Sequence, residues 1–185
     1  HLKPSTAFIK AVVAQRAIKE EQEIIEIEKA LSATVEMHKL AMRITKAGMK
    51  EYEIINAMRH YSADLGYTFA YPPIVTKHGE ILHNLHSHHI IEASDMILND
   101  AGCETELGYA ADLTRTYPVS GTFSTAQREI YEIVLQAIRD SSVQLSPHIK
   151  FRDIHLSSVT TLLTGLKDIG LVKGNIDDAV ANDVF

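Results

Sequence analysis

The side chains best suited to chemistry are two aspartates, Asp100 and Asp112, and a histidine-rich run holding His83, His86, His88 and His89. The aspartates belong to two strand-like runs, Asp95 to Asp100 and Gly108 to Tyr117, joined by a loop that holds Gly102. Paired as adjacent antiparallel strands, such runs set opposite side chains about 5 Å apart at Cβ. Carboxylates that close repel unless a proton or a metal cation lies between them. Paired hard oxygen ligands favour divalent ions such as Mn, and with a histidine added they also suit Zn or Co. Alternation groups Asp100 with Met96 and Leu98, toward the apolar side. It groups Asp112 with Thr114 and Thr116, whose hydroxyls could steady a carboxylate. On spacing alone the plainer reading is that both aspartates are solvated turn or edge residues. Imidazole carries protons near neutral pH and ligates metals. In an extended segment, however, His86 and His88 face one way and His83 and His89 the other, so the four do not bind one ion together. For at least three of them a polar loop is the plain reading.

Other candidates are weaker. His148 and His155 are at a helical spacing, but Pro147 and Lys150-Phe151 interrupt the helix that would align them. Cys103 has no basic neighbour to make it a thiolate and reads as inert. The glycines form no phosphate-cradling loop or dinucleotide fingerprint, and no serine sits in a nucleophile elbow. Nothing in these patterns makes the chain a kinase, dehydrogenase or serine hydrolase.

The elements that must position these residues can be read from periodicity. Ala7 to Val13, after Pro4-Ser5-Thr6, reads as a short helix or buried segment. An acidic turn, Glu20 to Glu23, opens an amphipathic helix with Ile24, Ile27, Leu31 and Val35 on its stripe, continued by Met37, Leu40, Ala41 and Ile44 and ended near Gly48. A second helix spans about 50–65. Tyr67 to Tyr71, Ile74 to Thr76 and Ile81 to His83 read as short strands, and Pro72-Pro73 bars a continuous central strand between the first two. After the aspartate-bearing runs come helices from Ser124 to about Leu145 and from about Phe151 to Gly170. Their inner faces are predicted at Ile130, Ile133, Val134, Ala137 and Ile138, and at Ile154, Val159, Leu162, Leu163 and Leu166. The order α-α-β-β-β-β-α-α is that of an α+β domain with an antiparallel sheet covered by helices.

The chain has 185 residues, enough for one domain or one domain plus a fragment at about 150 residues per domain. Its 18 Lys+Arg against 24 Asp+Glu give a net charge of −6, which argues against a nucleic-acid partner. Hydrophobic residues at 45% and charged residues at 23% are ordinary for a globular chain. No apolar run approaches the roughly 18 residues of a membrane span. A single cysteine requires no oxidising compartment, and the opening His1-Leu2-Lys3-Pro4 lacks a basic-then-apolar leader pattern. A cytoplasmic protein without a membrane partner is expected.

The run Asp100-Ala101-Gly102-Cys103-Glu104, followed by Gly108-Tyr109-Ala110-Ala111-Asp112-Leu113-Thr114-Arg115-Thr116-Tyr117-Pro118-Val119-Ser120-Gly121, resembles the aminopeptidase P and prolidase family of pita-bread-fold metallopeptidases. The resemblance extends to Arg16-Ala17-Ile18-Lys19 with Glu23-Ile24, to Ala47-Gly48-Met49-Lys50-Glu51-Tyr52-Glu53-Ile54, to Ile74-Val75 through Ile81-Leu82-His83-Asn84, and to Gln127 through Leu135. Lys50 stands where the family more often has threonine. The interval between the aspartates is one residue longer than usual, an extra residue placed in the loop 104–107. The resemblance implies that residues 20–185 form the N-terminal half of a pita-bread catalytic domain and that 1–19 end a preceding domain and linker. It further implies that Asp100 and Asp112 ligate two divalent metal ions, most readily Mn, with Asp112 bridging them, and that His83 contacts substrate and helps move protons.

The activity implied is hydrolysis of the bond between an N-terminal residue and a following proline, on a peptide or dipeptide substrate, by a protein that is commonly a dimer or larger. In the family the later ligands are a histidine, in a His-Gly-x-Gly-His-like segment, and two glutamates; none is found here. The chain is therefore expected to be part of a larger one, to bind metal weakly and to hydrolyse nothing alone. A non-catalytic pita-bread binding module and a metal-free creatinase-like amidinohydrolase are the alternatives. Retention of both aspartates argues against each. The segment Tyr117 to Gly121 leans toward the aminopeptidase rather than the dipeptidase.

Overall fold

The computed structural model describes residues 5–184; His1 to Pro4, read above for a leader, and Phe185 lie outside the described residues. The chain divides into two compact units, one running to Thr122 and the other from Phe123.

In the first unit, helix α1 (Thr6–Ala17) starts where Ser5 Oγ accepts the Phe8 N–H at 3.3 Å. It buries none of its residues, so the expected alternative of a buried segment does not hold. Helix α2 (Glu21–Ile44) carries Glu21 and Glu23 in its first turn, where carboxylates suit the positive end of the helix dipole. Its buried stripe is Ala30, Ala33, Thr34, Met37, His38 and Ala41, which includes Met37 and Ala41 of the expected stripe but leaves Ile24 48% and Leu31 42% exposed. Small side chains on that face let the helix approach the sheet closely. Helix α3 (Glu51–Asp64) packs Ile54, Ile55 and Met58 into the same core.

Five short strands follow: β1 (Thr68–Phe69), β2 (Ile74–Thr76), β3 (Met96–Asp100), β4 (Cys103–Glu104) and β5 (Thr114–Pro118). All pairings are antiparallel, in the order β2-β3-β5 and, separately, β1-β4. Cys103–Glu104, read from sequence as loop, is thus a strand, whereas the run from Gly108 is strand only from Thr114, with a single bridge at Ala110 to Glu104. The turn between the two runs closes with Thr105 N–H on Tyr109 O at 2.9 Å.

Ile81 to His83 is a turn and not the expected strand. Residues 77–89 form no regular element, so the predicted alternation of His83, His86, His88 and His89 across two faces is not realised. The physical reason lies in the pairing. β2 already occupies one side of β3 and β5 the other, so no edge of β3 remains for 81–83.

The two faces of β3 differ sharply. Ile97 and Asn99 are fully buried against the helices, while Met96, Leu98 and Asp100 on the other face are half-buried. The core holds Met37, Ile54, Met58, Val75, Ile91, Ile97, Ala101, Cys103 and Tyr117.

In the second unit, α4 (Thr125–Gln144), α5 (Phe151–Asp168) and α6 (Ile176–Ala181) follow one another. Ser124 caps α4 by accepting the Gln127 N–H at 3.3 Å. Gly165 lets α5 meet α4 closely: a Cβ there would stand 2.7 Å from Ile133 Cγ1. Of the predicted α4 stripe, Ala137 is buried, whereas Ile130, Val134 and Ile138 remain exposed.

Candidate functional site

Asp100 ends β3 and Asp112 lies just before β5, but they are not directly opposite each other. The register pairs Asp100 with Thr114. The flanking bonds, Ala111 N–H to Cys103 O at 2.9 Å and Ala101 N–H to Leu113 O at 3.2 Å, set Asp112 across from Gly102. The carboxylates are diagonal neighbours on the half-open face. Asp100 is half-buried and Asp112 exposed. The expectation that Asp100 points toward the apolar side is corrected, since the helix-covered face belongs to Ile97 and Asn99.

Tyr71 brings the pair together. Its hydroxyl lies 2.7 Å from Asp100 Oδ1 and 2.9 Å from Asp112 Oδ1. The backbone explains how it gets there. Ala70 N–H still bonds Gly102 O at 2.9 Å, while Ile74 already pairs with Asp100, so residues 71–73 bulge out of the ladder. Pro72 and Pro73 have no N–H to offer the ladder, and a residue preceding proline is held extended. Gly102 makes room: a Cβ there would stand 1.8 Å from Ala111 O and 3.2 Å from Tyr71 Cε1. Burial, and then hydrogen bonding to both carboxylates, push the Tyr71 phenol far above its ordinary range, so it stays protonated. Sequence reading missed Tyr71. Its signal is the Pro72-Pro73 pair, which breaks the strand and so projects the side chain before it.

His83 sits in the turn before Asn84, exposed, with φ of +54°. The other histidines of the run part company. His88 packs its ring on Tyr52 with centroids 5.6 Å apart. His89 meets His78 edge-on at 4.7 Å and places Nδ1 3.0 Å from Glu51 Oε2. Cys103 is buried, and burial raises its thiol, in keeping with an inert residue. A cleft of about 570 Å³ between α4 and α5 is lined by Glu129, Glu132, Asp140 and Asp168 among others, and contains neither Asp100 nor Asp112.

A model of the metallopeptidase family M24 matches residues 26–174. The chain belongs to that family. It is 34% identical over 171 residues to the Xaa-Pro aminopeptidase of Escherichia coli strain K12, covering 91% of this chain and 38% of that protein. Among solved structures it resembles zinc-substituted E. coli aminopeptidase P in complex with product, at a TM-score of 0.86 and 35% identity over 91% of this chain and 39% of the other. It likewise resembles Pseudomonas aeruginosa aminopeptidase PepP, at a TM-score of 0.88 and 32% identity over 92% and 39%. The chain spans less than half the length of these relatives. Its architecture is that of the first half of the pita-bread fold.

The donor set agrees with the metal chemistry of the M24 family as far as it goes. Two carboxylates converge on a hydroxyl that has one proton to give, so one negative charge has no donor of its own there. A hard divalent cation would supply what is missing. Among the described residues, no group of three or more His, Cys, Asp or Glu side chains gathers into a metal site, so the pair stands without a third ligand. No helix of the described residues is long and apolar enough to cross a membrane.

Proposed function

We propose that the chain forms part of a metal-dependent Xaa-Pro exopeptidase, an aminopeptidase rather than a dipeptidase, in which Asp100 and Asp112 hold two divalent ions and His83 meets the substrate. The observation that carries this is the convergence of both carboxylates on the single hydroxyl proton of Tyr71. The aminopeptidase names of the relatives and the zinc-substituted neighbour support it. Bound divalent ions supply Lewis-acid polarisation of a carbonyl and a water of lowered pKa. Asp112, exposed, and Asp100, half-buried at the end of β3, would hold the ions.

Tyr71 keeps its proton and shares it with the carboxylates, which fixes their separation and lowers their mutual repulsion. His83, presented in an exposed turn, hydrogen-bonds the substrate and helps move protons. Residues 1–19 are read as the end of a preceding domain and linker, and 20–185 as catalytic domain. Manganese as the metal, a dimeric assembly, a peptide with proline second and a cytoplasmic location belong to the same reading. Retention of two carboxylates that converge on one hydroxyl argues against a metal-free amidinohydrolase or a binding module.

Titration of Mn²⁺ into the chain, followed calorimetrically, tests the site. Weak binding that disappears in Asp112→Asn is expected, with no release of the N-terminal residue from an Xaa-Pro peptide by the chain alone. Binding that is unchanged in both Asp112→Asn and Asp100→Asn would overturn the ligand assignment.

A further inference from the structure

The carboxylate of Glu51, in the first turn of α3, is fully buried, a location that disfavours a charge unless several donors face it. Three do. Oε1 accepts the Lys77 N–H at 2.8 Å. Oε2 accepts the His89 backbone N–H at 3.3 Å and lies 3.0 Å from His89 Nδ1, which donates to it. Lys77 and His89 are the two ends of the irregular segment that contains His83, so one side chain closes the base of that loop. The free N–H groups of the α3 first turn act alongside it: Glu51 N–H bonds His89 O at 3.2 Å and Tyr52 N–H bonds Ser87 O at 2.8 Å.

Inside the loop, His83 holds a left-handed conformation that a non-glycine residue keeps only where its surroundings impose it. Its neighbour Asn84 is buried, donating to Thr76 Oγ1 at 3.2 Å and accepting the His86 N–H at 3.0 Å. The loop is thus pinned at its centre by Asn84 and closed at its ends by Glu51.

We propose that Glu51 is a positioning residue for His83: by accepting donors from both ends of the loop it fixes the turn that presents the imidazole. The bearing of this on peptide hydrolysis rests on the exopeptidase reading, whereas the positioning itself does not. An amide cannot replace the carboxylate here. Glutamine has one accepting oxygen, and its NH₂ would face either the Lys77 N–H or the His89 N–H, donor against donor.

The test is NMR of the isotope-labelled chain, comparing wild type with Glu51→Gln and His89→Ala, together with the rate of proteolysis within 77–89. In Glu51→Gln the His83 ring signal and the loop amides are expected to shift, with signals from Ile97 and Tyr117 unmoved. Cleavage in the loop should rise about tenfold or more, the population change given by loss of one hydrogen bond to a buried charge. A folded Glu51→Gln with an unmoved His83 signal and unchanged cleavage overturns the proposal. Should Glu51→Gln not fold, His89→Ala decides, because it removes the ring donor, with the edge contact to His78, and leaves both backbone donors. A shifted His83 signal there supports the proposal, and an unmoved one overturns it. Neither readout involves metal or peptide hydrolysis, so failure here is distinguishable from failure of the exopeptidase reading.

Discussion

Replacing Gly102 with alanine asks whether close backbone approach is what brings Asp100, Asp112 and Tyr71 together. A Cβ at 102 would stand 1.8 Å from Ala111 O, 2.7 Å from Ala111 C and 3.2 Å from Tyr71 Cε1. Carbon and oxygen that do not bond rest at about 3.3–3.6 Å even in attractive contacts. The 111 peptide must therefore retreat by about 1.5 Å, and no rotamer change relieves it, because the nearest atoms are backbone. That retreat lengthens the Ala111 N–H to Cys103 O and Ala101 N–H to Leu113 O bonds, now 2.9 and 3.2 Å. Overpacking costs about 1–3 kcal/mol and a weakened hydrogen bond about 1 more, giving roughly 2–4 kcal/mol. For a chain of this size the melting temperature should fall by about 4–16 °C. Thermal unfolding followed by circular dichroism measures it. Gly79→Ala is the control, since a Cβ there meets only the Leu98 side chain, at 3.3 and 3.6 Å. A Gly102→Ala chain melting within about 2 °C of wild type would refute the reasoning.

Tyr71→Phe removes the proton shared by the two carboxylates and should lower metal-free stability by about 1–2 kcal/mol in chemical denaturation; a midpoint equal to wild type would show that the hydroxyl contributes nothing. His38 predicts a pH dependence. Burial pulls its pKa below the ordinary value of 6.5, so the folded chain binds fewer protons than the unfolded one under acid conditions. Stability from this group is complete above about pH 6.5 and is lost as pH falls from there through the lowered folded value. The fall in unfolding midpoint between about pH 7.5 and 5.5 should be smaller in His38→Gln than in wild type, and an equal fall in both would contradict it.

Much of this was legible in the sequence, and the failures share a cause. The helices at 21–44, 51–64, 125–144 and 151–168 followed from periodicity and first-turn carboxylates, which are local signals. The Pro72-Pro73 break was read correctly because a missing N–H is also a local fact. The α2 stripe is right at Met37 and Ala41 and wrong nearer the start, because hydrophobicity favours Ile24 and Leu31 whereas close packing on the sheet selects Ala30, Ala33 and Thr34. Tyr71 and Glu51 were invisible as functional positions because their partners lie 29 and 26 residues away and are met only across the fold.

The open face of the sheet is also held from behind. His38 Nε2–H donates to Ala101 O at 3.0 Å, because a carbonyl can only accept; Nδ1 is then the acceptor for Asn99 Nδ2 at 3.3 Å. Asn99 and Ala101 are the two neighbours of Asp100. A single buried imidazole on α2 therefore holds the Ala101 carbonyl on one side of Asp100 and the Asn99 side-chain amide on the other, behind the carboxylate that faces the opposite way. Tyr71 then fixes the carboxylate itself at 2.7 Å. Support of this kind opposes the splaying apart of a carboxylate pair left to repel. The close backbone approach at Gly102, the bulge at Pro72-Pro73 and the buried His38 are three separate features of sequence, and each constrains the same few atoms. The location of Asp100 is thus set by contacts on both faces of the sheet.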